Sequence, residues 1–400
     1  MRITQIEDLH CDSGPRYFSF LKISTDEGIV GWSEYTEFVS SHDQTATIRA
    51  LAKDLIGQDP RPVERITATL AAKTRQAAGG VNQRAVGAIE NALLDIKAKA
   101  LGIPVYELLG GPIRTAIPLY WSHCGLFRIR QGEAYGHPPL RSLGDLVTLG
   151  REVRERGFKA LKANMYLFDG ERPKLYLAAW GGRNFPELNA EPQILRAIVA
   201  ELEAFREGAG PDVALQLDAN FHFKTEGFLK LARALEPLDM SWLELDTHDP
   251  AALAHIRRST RTPIASCETL HGRRAYKPFF ENYAMDVAII DVAWNGALES
   301  LKIAAMADTY EVNVATHNWG SPLLDVMSAH VGAAIPNLRI MEYEVDGVPW
   351  REDVVTVPPV VVDGALVLPT GPGWGTEIDE DAVRAHPPKR ERSAVDLARA

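Results

Sequence analysis

The sequence predicts an α/β protein built around a (β/α)8-type barrel, with a separate α+β unit in front of it. Two observations carry that reading. From Ile117 onward, short β-branched runs alternate with helical patterns, as βαβ units and a parallel sheet require. The first hundred residues instead read as strands and then helices, an antiparallel start.

The opening strands are residues 1–9, 17–23 and 29–33, the last two joined by Thr25-Asp26-Glu27-Gly28 as a hairpin turn. The clearest helix runs over 83–100, where Val86, Ile89, Leu93 and Ile96 recur at helical spacing and Gly102 with Pro104 supplies the stop. Eight strands follow, at 117–121, 158–161, 213–217, 242–243, 263–267, 287–290, 312–316 and 338–341. Eight parallel strands separated by helices suit a barrel. A doubly wound open sheet is the runner-up, disfavoured because no Gly-rich fingerprint follows the first of these strands. After Asp346 the runs 354–357 and 360–367, punctuated by Pro and Gly, suggest a segment that leaves the barrel and packs on the N-terminal unit. The expected units are therefore 1–115, 116–345 and 346–400.

Four hundred residues with 46% hydrophobic and 24% charged side chains are ordinary globular composition, which excludes a disordered chain or a stapled mini-scaffold. A net charge of −10 with scattered Lys and Arg leaves no basic face for phosphates, so neither nucleic acid nor an anionic membrane is expected as a partner. A small-molecule substrate is. Cys11, Cys124 and Cys267 are too few and too far apart for a disulfide framework or a thiolate zinc site. The N-terminus lacks the pattern of a signal peptide, and no apolar run reaches the ~18 residues of a membrane span, so a cytoplasmic location is expected.

Each of the last seven barrel strands runs into an ionisable residue: Lys162, Asp218, Glu244, Glu268, Asp291, His317 and Glu342. From Asp218 the intervals are 26, 24, 23, 26 and 25 residues, one per βα unit. Barrel strands end on one face, so these side chains would share a pocket. A helix N-cap accounts equally well for Asp218 taken alone, but Glu is a weak N-cap and explains Glu244 and Glu268 poorly. Three carboxylates from adjacent strands repel unless a cation neutralises them, and hard oxygen ligands suit Mg²⁺. His317 alone reads as a satisfied barrel histidine; Asp291 one unit earlier makes it a base, because a carboxylate on imidazole fixes its tautomer and raises its basicity. Lys162 ends an apolar run, so Lys159 is the better surface lysine, and a lysine facing a metal would stabilise an anionic substrate group.

With these residues the sequence resembles the enolase superfamily, mandelate racemase subgroup, over nearly its whole length. LQLDAN at Asp218, WLEL at Glu244 and ASCETL at Glu268 are similar to the family's three metal-ligand segments, including Asn220 two residues past the first. IIDVAWNG at Asp291 and ATHNWG at His317 resemble its Asp/His dyad, and Glu342 in RIMEY the residue that hydrogen-bonds the substrate carboxylate. The resemblance implies a modified (β/α)7β TIM barrel, a capping domain completed by the C-terminal segment, Mg²⁺ as cofactor, and a homo-oligomer, dimer or octamer. Segments 13–17 and 35–41 resemble the specificity loops of the capping domain. Asn220, Tyr17 and Trp319 are the expected substrate contacts.

One position departs from the family pattern. Where a second lysine commonly follows two residues after Lys162, this chain has Asn164, and an amide accepts no proton at neutral pH. Two-base racemisation is therefore disfavoured. Insertions at about 125–140 and 165–192 follow the first two strands; Tyr166, Trp180, Arg183 and Asn184 would read polyol hydroxyls or form an oligomer contact. The expected activity is a Mg²⁺-dependent dehydration of an aldonate or aldarate. His317 would take the α-proton and, as imidazolium, assist departure of the β-hydroxyl, giving a 2-keto-3-deoxy acid. The alternatives are a sugar-acid epimerase or racemase, a lactone cycloisomerase, and a barrel that binds a sugar acid without turning it over.

Overall fold

The computed structural model describes residues 1–14, 16–37, 43–168, 173–176 and 189–388. The N-terminal unit pairs β1 (Ile3–Asp12), β2 (Tyr17–Thr25) and β3 (Val30–Tyr35) in an antiparallel sheet. Against it lie α1 (Gln44–Ala52), α2 (Val63–Thr74) and the long α3 (Gly80–Leu101). Helix α3 stops at Gly102, which takes φ +68° and donates its N–H to the carbonyls of Ala98 and Lys99. Strand β3 comes so close to α3 that a Cβ on Gly31 would stand 2.2 Å from the Ala92 carbonyl.

Among the described residues, eight parallel strands close into a barrel: β4 (Ala116–Ser122), β5 (Ala160–Ala163), β6 (Ala214–Asp218), β7 (Trp242–Glu244), β8 (Ile264–Ser266), β9 (Val287–Asp291), β10 (Asn313–His317) and β11 (Leu338–Glu344). Strand β11 pairs back onto β4 and completes the circle. Seven crossover helices follow the first seven strands: α4 (Leu143–Glu155), α5 (Pro192–Ala209), α6 (Thr225–Leu235), α7 (Pro250–Arg258), α8 (Arg273–Glu281), α9 (Ala297–Thr309) and α10 (Pro322–Ala334). The architecture is a modified TIM barrel, (β/α)7β, with a capping unit. Strands β6, β7, β9 and β10 each run one residue further than their apolar runs, because Asp218 still pairs with Glu244 and Asp291 with His317.

Strand alternation sends one set of residues into the barrel. Tyr120, Ala160, Trp242, Ala265, Val287, Ile289 and Ala315 form a small central cluster. Two positions beyond Ala160, Trp242, Ile289 and Ala315 in the same phase come Lys162, Glu244, Asp291 and His317. The apolar layer is the floor on which the charged ladder stands.

A second core fills the capping unit, and barrel residues belong to it: Val292, Ala293, Trp294 and Ala297 after β9, Leu323, Leu324 and Met327 on α10. Beyond the barrel, Val360–Val362 and Ala365–Val367 form a hairpin whose second strand pairs antiparallel with the start of β4. The chain then returns to the cap. Buried Trp374 donates its backbone N–H to Asp95 at 3.0 Å and its indole N–H to the Trp32 carbonyl at 2.9 Å. The helical turn Glu380–Ala385 lies against β1, and Asp12 donates its N–H to the His386 carbonyl at 2.8 Å. Among the described residues no helix is long and apolar enough to cross a membrane.

Candidate active site

His317 and Asp291 are register partners on adjacent strands, with Nδ1 2.6 Å from Asp291 Oδ2. The other Asp291 oxygen accepts from the Trp294 backbone N–H at 2.7 Å, which fixes the carboxylate. Nδ1–H is thus the donor of the pair and Nε2 is left facing inward, 3.8 Å from Glu268 Oε2. Burial alone would lower the imidazole, but Glu268, the Asp291 hydrogen bond and Glu342 outweigh it and push it up to about 10.

Lys162 is buried in the barrel, with Nζ 3.0 Å from Glu244 Oε2, 3.1 Å from Glu342 Oε1, and over the Tyr120 ring. Both carboxylates hold the ammonium protonated against the cost of burial. Glu342 is the most heavily engaged acid. It accepts from Ser122 Oγ, from Lys162 and, at 2.7 Å, from the Asn318 backbone N–H. Burial is overridden by Lys162, His317, His123 and Ser122, so Glu342 is held well below the usual carboxylate range. Its contact with Lys162 makes it an anchor for that ammonium.

Asp218 and Glu244 are register partners on β6 and β7, which brings neighbouring side chains to about 5 Å. Glu268 follows Cys267, whose φ of +88° breaks the strand's alternation before the carboxylate. Burial raises all three acids. Glu244 is raised further by Asp218, and Glu268 by Asp218 and Glu244. Among the described residues no three His, Cys, Asp or Glu side chains form a closed metal cluster. The donor set nevertheless fits a hard dication. Among the described residues Glu244 Oε1 is buried with no hydrogen-bond partner, and three buried carboxylates from adjacent strands, with Asp218 raising both of the others, are a hard-oxygen donor set of the kind a dication takes.

The other expected residues are less uniform. Asn164 is buried, and among the described residues its Oδ1 has no hydrogen-bond partner. Asn220, at φ +45°, donates both its backbone N–H and its amide to Asp218 Oδ1, at 2.9 and 2.6 Å, and so orients that carboxylate. Trp319 follows His317 by two residues and carries the Arg16 guanidinium 4.1 Å from its ring centre. Tyr17 is half-buried opposite Asp12 in the cap sheet, and its neighbour Arg16 is the residue that reaches the pocket. Tyr166 is fully buried and donates its hydroxyl to the Cys124 carbonyl at 3.1 Å, which removes it from the polyol readers. Trp180, Arg183 and Asn184, and part of segment 35–41, lie outside the described residues.

Three buried groups escaped the sequence reading. Arg16 is buried, and desolvation lowers it to about 10. Arg84, on α3, stacks on Trp294 at 3.8 Å, donates Nε–H to His271 at 3.0 Å, and among the described residues leaves one terminal nitrogen buried without a partner. His123 follows β4, the one strand of the eight at whose end no charged residue was sought. His123, Asn220 and Cys267 all take positive φ at the catalytic ends of barrel strands. Such strain gathers at functional sites.

Two family models match the chain: mandelate racemase / muconate lactonizing enzyme, N-terminal domain, over 13–110, and enolase C-terminal domain-like over 145–382. D-xylonate dehydratase of Haloferax volcanii is 31% identical over 395 residues, covering 96% of this chain and 88% of its own. D-galactonate dehydratase of Xanthomonas oryzae is 28% identical, over 96% of this chain and 94% of its own. A provisionally named L-alanine-DL-glutamate epimerase from Burkholderia xenovorans, solved with magnesium and fumarate, is 44% identical, with a TM-score of 0.96 over 100% of this chain and 99% of its own. With two family models spanning most of the chain and relatives that match it nearly from end to end, the chain belongs to the enolase superfamily, mandelate racemase subgroup, and is an enzyme of that kind.

Proposed function

We propose that the protein is a Mg²⁺-dependent dehydratase of an acid sugar, an aldonate or aldarate, giving a 2-keto-3-deoxy acid. The observation that carries this reading is the single base: a His317–Asp291 dyad faces a pocket in which an amide, Asn164, stands where a second lysine would make a two-base site. The dehydratase names of relatives near 30% identity support it.

Asp218, Glu244 and Glu268 would hold the Mg²⁺ ion, which when bound supplies positive charge to stabilise the enediolate and to offset the carboxylate field on His317. Lys162, held between Glu244 and Glu342, orients the substrate carboxylate and stabilises charge that moves onto it. His317 Nε2 takes the α-proton, its tautomer set by Asp291. Trp294 and Trp319, beside the imidazole and next to it in the chain, keep water from the reacting face. Arg16 and Arg84 give the cap side of the pocket a cationic wall suited to an anionic, oxygen-rich substrate. A homo-oligomer, dimer or octamer, belongs to the same proposal, and sedimentation equilibrium tests it.

The test is incubation with Mg²⁺ and D-xylonate, D-galactonate or galactarate in deuterated water, followed by NMR. Keto-acid formation with loss of water is expected, and chelation should stop it. Exchange or inversion at C2 without loss of water would favour the second reading, an epimerase, which the name of the 44% identical relative keeps in view. A cycloisomerase would convert a lactone instead, and a non-catalytic barrel would exchange no α-proton.

A further inference from the structure

We infer that His123, with the buried Glu344 beside it, is the general acid that protonates the departing β-hydroxyl, working beside the His317–Asp291 base. The inference rests on the dehydratase reading. That chemistry needs a proton at the leaving oxygen, and a separate donor frees His317 from serving as both base and acid.

The two histidine–carboxylate pairs occupy corresponding places in the barrel, although only the first is hydrogen-bonded. His317 and Asp291 end the neighbouring strands β10 and β9; His123 and Glu344 lie at the ends of β4 and β11, where the barrel closes and Glu344 is the register partner of Ser122. His123 Nδ1 lies 2.9 Å from Ser122 Oγ and 3.1 Å from Glu344 Oε2, a close approach without hydrogen-bond geometry, since among the described residues neither Glu344 oxygen has a hydrogen-bond partner. Ser122 gives its own proton to Glu342, so Nδ1–H donates to Ser122 Oγ and Nε2 is the working atom. Among the described residues Nε2 has no hydrogen-bond partner. The ring rests on Trp319 at 4.9 Å, two residues from His317, and shares Ser122 with Glu342, the acid that holds Lys162.

The backbone carries the cost of aiming it. His123 has φ +44°, a region β-carbon sterics disfavour, and the turn is locked because Cys124 donates its N–H to the Lys162 carbonyl at 2.9 Å and Leu126 to the His123 carbonyl at 2.8 Å. A ring that only filled space would need neither the strained turn nor a buried acid. Glu344 is buried, with 4% exposure, and its Oε2 stands 3.1 Å from His123 Nδ1.

The step balances as follows. The Cα–H bond breaks and its proton goes to His317 Nε2. The Cβ–O bond breaks as the proton on His123 Nε2 passes to that oxygen, and the electron pair left at Cα forms the Cα–Cβ double bond, so water and an enol leave. The enol ketonises by taking a proton at Cβ while its hydroxyl proton is released, which returns both histidines to their starting states through solvent.

His123→Asn is the decisive variant, since Asn tolerates the left-handed backbone. With D-xylonate, D-galactonate and galactarate in deuterated water, keto-acid formation should fall 10²-fold or more while α-proton exchange continues within about threefold of the parent. A substrate carrying fluoride in place of the β-hydroxyl, which leaves without being protonated, should recover at least tenfold of that loss. Glu344→Gln, a positioning variant, should lower dehydration less and show the same fluoride rescue. Undiminished dehydration by His123→Asn, or loss of exchange and dehydration together without rescue, would overturn the inference while leaving the dehydratase reading intact. A parent that releases no water from any of the three acids would overturn both.

Discussion

Lys162 shows how much one side chain holds in place. It is buried between Glu244 and Glu342, and Lys162→Met would leave two buried carboxylates without their shared counter-charge. Breaking a buried ion pair this way costs about 3–5 kcal/mol. Urea denaturation of the chelated protein should show a loss of that order, alongside loss of turnover. Asn164 makes the opposite test. Asn164→Lys would place an amine near the cationic Lys162, which favours its neutral form, so the variant should begin to exchange α-protons of the C2 epimer that the parent leaves untouched. A parent that exchanges both epimers equally would remove the argument. His317→Asn should abolish exchange altogether, a loss of about 10²-fold or more.

At this scale the sequence is legible where chemistry and strand phase coincide. Lys162, Glu244, Asp291 and His317 lie in phase with the apolar floor, so a run of inward residues that ends in a charge is readable. Glu268 was found by interval, although Cys267 puts it out of phase. His123 was missed because a serine, not a charge, ends its strand, and only the observed left-handed turn reveals its aim. Arg84 has no local signal: on α3 it is one more polar residue, and only the docking of cap on barrel buries it against Trp294.

Between elements, the joint that sets the dyad is the contact of α3 with the start of α9. Glu90 accepts from the Leu298 N–H at 2.8 Å, and Asn91 accepts from Ala297 and donates to the Val292 carbonyl, so two adjacent cap residues grip the turn that leaves Asp291. Gly296, at φ +87°, makes the grip possible: a Cβ there would stand 2.4 Å from Glu90 Oε1. Gly296→Ala should cost about 1–3 kcal/mol in urea, from backbone strain and the displaced carboxylate together. Glu90 itself is pushed up to about 8, chiefly by burial. A carboxyl raised above its unfolded value of 4.5 lends stability below pH 4.5 that is lost as pH rises through 8. Glu90→Gln should therefore flatten the alkaline fall in stability, seen as a smaller shift of the urea midpoint between pH 5 and 9. None of this was readable from helix periodicity, which marks α3 as amphipathic but not what its polar face touches.

At the scale of the molecule, barrel and cap share a core, since Trp294, Leu323 and Leu324 are counted among the cap's buried residues. A fragment of residues 1–115 should stay unfolded by circular dichroism, and the whole chain should melt in one calorimetric transition. His330 supplies an acid limit. Its Nδ1 accepts from the Tyr106 N–H and its Nε2–H donates to the Trp374 carbonyl, and burial lowers it to about 3. A histidine held below its unfolded 6.5 lends stability above pH 6.5 that drains away as pH falls towards 3, so His330→Gln should lose the slope in that window. The barrel was legible because one βα unit repeats at a near-constant interval; the return of the chain to the cap was legible only as a change of texture after Asp346.

That return has a mechanical side. Residues near the two ends of the described chain meet at the Asp12–His386 hydrogen bond, and Trp374 pins the same stretch to Asp95 and Trp32. A pulling force applied between β1 and the last helical turn would first load these few bonds. The barrel would carry no tension until they gave way. The enzyme would then lengthen in two stages under an optical trap, the first releasing the residues after the barrel while the strand ends that carry Asp218, Glu244 and His317 stay in place. A transporter or protease that grips the C-terminal stretch would meet its weakest resistance first and its catalytic scaffold last.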